Sequence, residues 1–112
     1  MTLNEPAFMN AIGLIPTYMR PPFLAVDGLV LATMAELGYH VIGASTDTKD
    51  YENDTPDRVW VSMEKFQNEV SAGGTIVLAH DVHETTVNIL AQYMMDEVRA
   101  RGLERMSMRP FC

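Results

Sequence analysis

One cysteine, one tryptophan and only eight lysines and arginines among 112 residues put several classes of protein out of reach. The lone cysteine, Cys112, is the last residue and has no partner for an internal disulfide, so no disulfide framework staples this fold. Eight basic against 15 acidic residues give a formal charge of -7 and leave no basic stripe. Attraction to phosphate backbones or anionic lipid is disfavoured, and nucleic acid is not an expected partner. Long apolar runs are missing too. The run from Leu29 to Ala35 stops at Glu36, well short of the roughly 20 apolar residues a membrane-spanning helix needs. The start, Met1-Thr2-Leu3-Asn4-Glu5-Pro6, has neither the basic opening nor the apolar centre of a signal peptide. No internal repeat, low-complexity tract or long linker interrupts the chain.

What is present suits one ordinary α/β domain. A 12.5 kDa chain with 47% hydrophobic residues can bury roughly two-thirds of the surface its unfolded form exposes. That is enough for one core, but not for an eight-stranded barrel of about 250 residues.

Glycine and proline punctuate the chain into alternating pieces. Thr2-x-x-Glu5 with Pro6 resembles a capping box that opens a short helix through Phe8, Met9 and Ile12, ended by Gly13. Tyr18-Met19-Arg20 is a short strand candidate, halted by Pro21 and Pro22. Val30, Leu31, Met34 and Leu37 recur at helical spacing between Asp27 and Gly38. Tyr39 to Ala44 reads as a buried strand running into a polar loop from Ser45 to Pro56. Thr55-Pro56 then caps a helix whose apolar face is Val59, Trp60, Met63, Phe66 and Val70, ended by Gly73-Gly74. Thr75 to Ala79 is the clearest strand, and Val87, Leu90, Tyr93, Met94 and Val98 line a long helix that stops at Gly102. The last ten residues are a candidate fourth strand. Alternation of this kind implies parallel crossovers, with ligands bound at the C-terminal ends of the strands.

Polar groups occupy equivalent places at those ends: Arg20 after the first strand, Asp47 and Asp50 after the second, His80 after the third. A permanently charged arginine forks toward a carboxylate, and a carboxylate beside a histidine fixes its tautomer and favours a general acid. Singly, each has a plainer reading: a solvated strand-end charge for Arg20, turn formers for Asp47 and Asp50, a structural or surface histidine for His80. His80-Asp81-Val82-His83 invites a metal reading, but with His40 placed at the start of a strand no complete set of ligands assembles from this chain. Trp60 and Tyr93 fall on apolar helical faces and read as core, whereas Tyr51 follows the acidic loop and reads as exposed.

Three stretches then resemble a known family. Tyr18-Met19-Arg20-Pro21-Pro22-Phe23, Asp47-Thr48-Lys49-Asp50-Tyr51 and Ile76-Val77-Leu78-Ala79-His80-Asp81 are similar, in order and spacing, to the third, fourth and fifth motifs of the polysaccharide deacetylases. These are the NodB-homology domains of carbohydrate esterase family four, fungal chitin deacetylases among them. The resemblance covers nearly the whole chain, with residues 86–102 as the family's closing helix. It implies part of a distorted (β/α) barrel, with three or four parallel strands alternating with helices. It also implies metal-dependent removal of acetyl groups from the N-acetylglucosamine units of a chitin-like polysaccharide. By the same resemblance His80 is the general acid, Asp50 orients it, and Arg20 holds a catalytic base. The backbone N-H near Phe23 serves an oxyanion hole, Tyr51 and Leu78 wall the sugar groove, and Asp47 lends a supporting hydrogen bond.

The family's first motif, Thr-Phe-Asp-Asp-Gly-Pro, and its second, His-x-x-x-His, occur nowhere in this sequence. Those motifs carry the base and the ligands of a divalent metal, expected to be zinc, so the metal ligands assigned in this chain are none. Tyr51 stands where a tryptophan is more usual. Residues 1–112 thus resemble the C-terminal portion of the domain, expected to be inactive alone. The family is usually secreted or at the cell wall, and in its fungal members a cysteine near the domain's end pairs with one near its start, a role Cys112 would match. Open sheet edges in a partial barrel imply self-association. Two other readings stand beside this one: a chitin-oligosaccharide-binding half-domain without catalysis, and a gene fragment with no independent function.

Overall fold

The computed structural model describes residues 1–104. The single unit expected from the sequence divides into two compact units, Met1–Gly43 and one from Ala44 onward. The fourth strand expected over the last ten residues lies for the most part outside the described residues, as does Cys112.

In the first unit, helix α1 (Glu5–Ile12) ends at Gly13, whose φ of 69° is the left-handed conformation that a residue without a Cβ adopts most easily. The capping box does not form. Glu5 instead accepts a 2.8 Å hydrogen bond from the Tyr39 hydroxyl, and Asn4 at the N-cap makes no side-chain cap bond. Strand β1 (Tyr18–Met19) pairs in parallel with β2 (His40–Val41), Tyr18 opposite His40 and Met19 opposite Val41. Helix α2 (Gly28–Glu36) joins them, opened by Asp27, whose carboxylate accepts from the Val30 N-H at 2.8 Å. The strand expected over Tyr39 to Ala44 is only two residues long. Tyr39, 6% exposed, is the one buried large apolar side chain described in this unit.

The second unit repeats the pattern with a fuller core. Strand β3 (Thr46–Asp47) pairs in parallel with β4 (Val77–Leu78), Thr46 opposite Val77 and Asp47 opposite Leu78. Between them runs α3 (Val59–Ser71), and after β4 a widened π turn (Thr86–Leu90) leads into α4 (Ala91–Ala100). Strand β3 corrects the reading of residues 45–56 as loop. Thr46 and Thr48 are both fully buried, a period of two carried by threonines rather than by apolar residues.

The buried stripe of α3 is Val59, Ser62 and Phe66, spaced i, i+3, i+7. Trp60 was expected in the core and is 58% exposed. One residue past Val59, it points about 100° around the helix, away from that stripe. Leu90 is fully buried, and the Phe66 and Tyr93 rings meet edge-on at 6.5 Å. Val87, expected on the same face, is exposed, while Thr86 is buried. The π turn explains the exchange: the Ala91 N-H donates to Thr86 O, five residues back, which shifts the helical phase. Gly74 is required by space. A Cβ there would lie 2.2 Å from Thr46 Oγ1 and 2.9 Å from the Glu69 carbonyl. No described helix is long and apolar enough to cross a membrane.

The four short strands, all paired in parallel and alternating with helices, give the expected α/β class. The fourth strand comes from residues 46–47.

Candidate active site

Parallel pairing of β3 with β4 brings their C-terminal ends to one edge. Asp50 follows β3 by three residues and His80 follows β4 by two, so the pairing delivers both to that edge.

Asp50 is 2% exposed, and its carboxylate is fully engaged. Oδ1 lies 2.8 Å from His80 Nδ1 and accepts from the Tyr51 N-H at 3.1 Å. Oδ2 accepts from the His80 N-H at 2.6 Å and from the Thr86 hydroxyl at 2.9 Å. Burial raises the Asp50 pKa, but the hydrogen bonds from the His80 side chain, the His80 N-H and Thr86, with the attraction of His80, outweigh it. The carboxyl is held below its ordinary value. A carboxylate on Nδ1 fixes the imidazole so that Nε2 is the nitrogen left for chemistry.

The turn that presents Asp50 is built from local polar bonds. Asp47 Oδ1 accepts from the Lys49 N-H at 3.1 Å, and the Asp47 N-H donates to Glu69 Oε2 at 2.6 Å. Lys49 takes a left-handed φ of 55° and leads into a 3₁₀ turn over Asp50–Glu52. Asn53, 5% exposed, closes that turn by donating from Nδ2 to the Lys49 carbonyl at 3.0 Å and to Ser62 Oγ at 3.4 Å. This explains the serine in the buried stripe of α3. The Thr48 hydroxyl donates to Leu78 O at 2.8 Å, tying the two strand ends together.

Tyr51 is 46% exposed, as expected, and stands edge-on to His80 with ring centroids 5.7 Å apart. Lys49 Nζ donates to its hydroxyl at 2.6 Å and lies 5.2 Å from the ring centroid. Those distances put the ammonium beyond the phenol oxygen rather than over the ring face, so this is a hydrogen bond and not a cation–π contact. Leu78 is partly exposed.

Of the residues singled out in the sequence, Asp47, Asp50, Tyr51, Leu78 and His80 all belong to the second unit, and the structure gathers Asp50, Tyr51 and His80 into direct contact. Arg20 and Phe23 belong to the first. Arg20 Nη2 donates to the Gly43 carbonyl at 3.0 Å. Phe23 has a φ of 56° and a wholly exposed side chain.

Thr86 and Asp54 were not anticipated. Asp54 accepts His83 Nδ1 at 2.8 Å. No sequence signal marked either residue, because both act across 29 or more positions. A divalent metal does not fit the described residues. No group of three or more His, Cys, Asp or Glu among them could hold one, and His80 and His83 both commit Nδ1 to a carboxylate.

No family model matches the chain. It is 57% identical over 88 residues to a chitin deacetylase of Arthroderma benhamiae, covering 79% of this chain and 24% of that one. The solved structure of the chitin deacetylase of Colletotrichum lindemuthianum superimposes with a TM-score of 0.85 at 42% identity, covering 95% of this chain and 49% of that structure. The chain is a partial homologue of the polysaccharide deacetylases. A chitin deacetylase of Pestalotiopsis sp adds 47% identity over 103 residues, covering 92% of this deacetylase homologue and 34% of the relative. The homologue therefore spans between about a quarter and a half of the proteins it matches, and its fold is a fragment of the polysaccharide deacetylase barrel.

Proposed function

We propose that residues 1–112 are the C-terminal portion of a NodB-homology domain and supply the proton-delivering side of N-acetyl hydrolysis on chitin-like N-acetylglucosamine polymers. The observation that carries this reading is the buried Asp50 carboxylate on His80 Nδ1 at 2.8 Å. His80 is the general acid. Its Nε2 gives a proton to the departing amine as the amide C–N bond breaks, and Asp50 stabilises the imidazolium before transfer. General acid catalysis of this kind contributes roughly 10²–10⁴-fold. Developing charge on the acetyl oxygen is the task assigned to the backbone N-H near Phe23. Arg20 holds the catalytic base, Tyr51 and Leu78 wall the sugar, and Asp47 supports the turn. The base and the metal-binding residues, zinc ligands by resemblance, belong to the motifs this sequence lacks, and the chain alone is inactive. Self-association through the open edges of its two-stranded sheets belongs to the same reading, as does a cell-wall or extracellular setting.

The deciding measurement is acetate release from chitin oligosaccharides by the 112-residue chain with zinc or cobalt added, against His80→Ala. No release from folded protein is expected. Release that needs His80 would overturn the assignment of the base and metal to missing motifs. The exposed Tyr51 ring supports a second reading, oligosaccharide binding without catalysis. On that reading Tyr51→Ala weakens oligosaccharide affinity, and an unchanged affinity removes it.

A further inference from the structure

The two loops that carry Asp50 and His80 are joined by a second carboxylate–imidazole pair. His83 Nδ1 lies 2.8 Å from Asp54 Oδ2, and the buried Thr85 follows two residues later. Burial raises the Asp54 pKa, but His83 and Thr85 outweigh it and hold the carboxyl below its ordinary value. The two sets of bonds interleave: Asp50 grips residues 80 and 86, and Asp54 grips residue 83 between them. Asp54 follows directly on Asn53, the buried residue whose side chain closes the 3₁₀ turn.

The consequence falls on the His80 ring. One hydrogen bond at Nδ1 leaves an imidazole able to swing about the line joining nitrogen and oxygen. Two aromatic neighbours remove that freedom: Tyr51 stands at 89° to the ring with centroids 5.7 Å apart, and His83 at 79° and 5.9 Å. The Tyr51 ring is fixed next to Asp50 in the chain. Among the described residues the hydrogen bond that anchors the His83 ring is the one to Asp54.

We propose that Asp54 and His83 are positioning residues for His80: they hold its ring in the plane that keeps Nδ1 on Asp50 and aim Nε2. The catalytic purpose of that aim rests on the deacetylase reading, but the positioning itself is measurable without turnover. Nitrogen-15 NMR of the 112-residue chain reports which ring nitrogen of His80 carries the proton and how fast that proton exchanges with water. The wild type is expected to keep a slowly exchanging His80 Nδ1-H. Asp54→Ala and His83→Ala should each speed that exchange by about ten-fold or more, as local opening becomes easier, and mix in the Nε2-H tautomer. Asp54→Asn, which keeps an acceptor for His83 Nδ1, should restore the wild-type signature. Unchanged exchange and tautomer in alanine variants whose α3 amides stay native would overturn the proposal. Should the alanine variants lose the fold, His83→Gln keeps a donor for Asp54 without the ring. Faster His80 exchange there supports positioning, and wild-type exchange refutes it. Acetate release and the NMR signature are separate readouts, so either reading can fail while the other stands.

Discussion

Residues 1–43 and the unit that follows are built on the same plan, two parallel strands joined by a helix, yet they differ in what they bury. The first encloses one large apolar side chain, Tyr39, and leaves Phe8, Ile12, Leu29 and Leu31 exposed. The second encloses Val59, Phe66 and Leu90, and with them Thr46, Thr48, Asp50, Asn53, Ser62, Thr85 and Thr86. Burying a large apolar side chain is worth roughly 1.5–3 kcal/mol, so the core of the second unit is several times the stronger. The lesson lies in the polar half of that list. Buried hydroxyls and carboxylates cost free energy unless paired: Thr86 pairs with Asp50, Asn53 with Ser62 and Thr48 with the Leu78 carbonyl, whereas Thr46 Oγ1 finds no partner among the described residues. The same polar satisfaction that holds the second unit together also orients His80.

Three measurements test this contrast. Phe66→Ala removes a side chain 1% exposed and should cost about 4 kcal/mol in urea unfolding. Phe8→Ala, at a position 41% exposed, should stay within about 0.5 kcal/mol. Equal losses would erase the distinction between the two cores. Gly74→Ala comes next. Its new methyl would press on Thr46 and on the Glu69 and Ser45 carbonyls, and an expected loss of about 2 kcal/mol should appear with disturbed β3 and β4 amides. A neutral result would mean that the strand end and the end of α3 can part without cost.

The smallest effect is the dependence on acid. The Asp50 pKa is lowered in the folded chain. Its contribution is therefore fully present above the unfolded carboxyl value of about 3.9 and is lost as pH falls through the folded value. Asp54 acts in the same direction. Denaturant midpoints measured downward from about pH 6 should fall in the acid limb, and Asp50→Asn should flatten that fall. An identical acid limb in the variant would place the acid sensitivity elsewhere.

Local chemistry made some of this legible in advance. Gly38 as a stop ended α2 because that signal acts within one turn of chain. His80 and Asp50 were found because strand ends and loop carboxylates are marked in sequence. Strand β3 was missed because its buried side chains are threonines, which read as loop. Trp60 was misplaced because apolar character outweighed its angle on the helix, and Thr86 and Asp54 because their partners lie on the far side of an intervening helix. Where hydrophobic pattern and polar pairing compete, pattern alone picks the wrong face.

The widened turn at Thr86–Leu90 holds one residue more than a regular helical turn would. In an ordinary helix each residue advances about 100° around the axis, so this segment works as a phase adjuster. Upstream, the helix must turn a hydroxyl onto Asp50. Downstream, it must turn Leu90 and Tyr93 toward Phe66, and a regular helix starting from Thr86 would be out of step with that demand. Deleting a single residue here would leave the composition almost untouched, yet it would force the chain to choose between its polar site and its core.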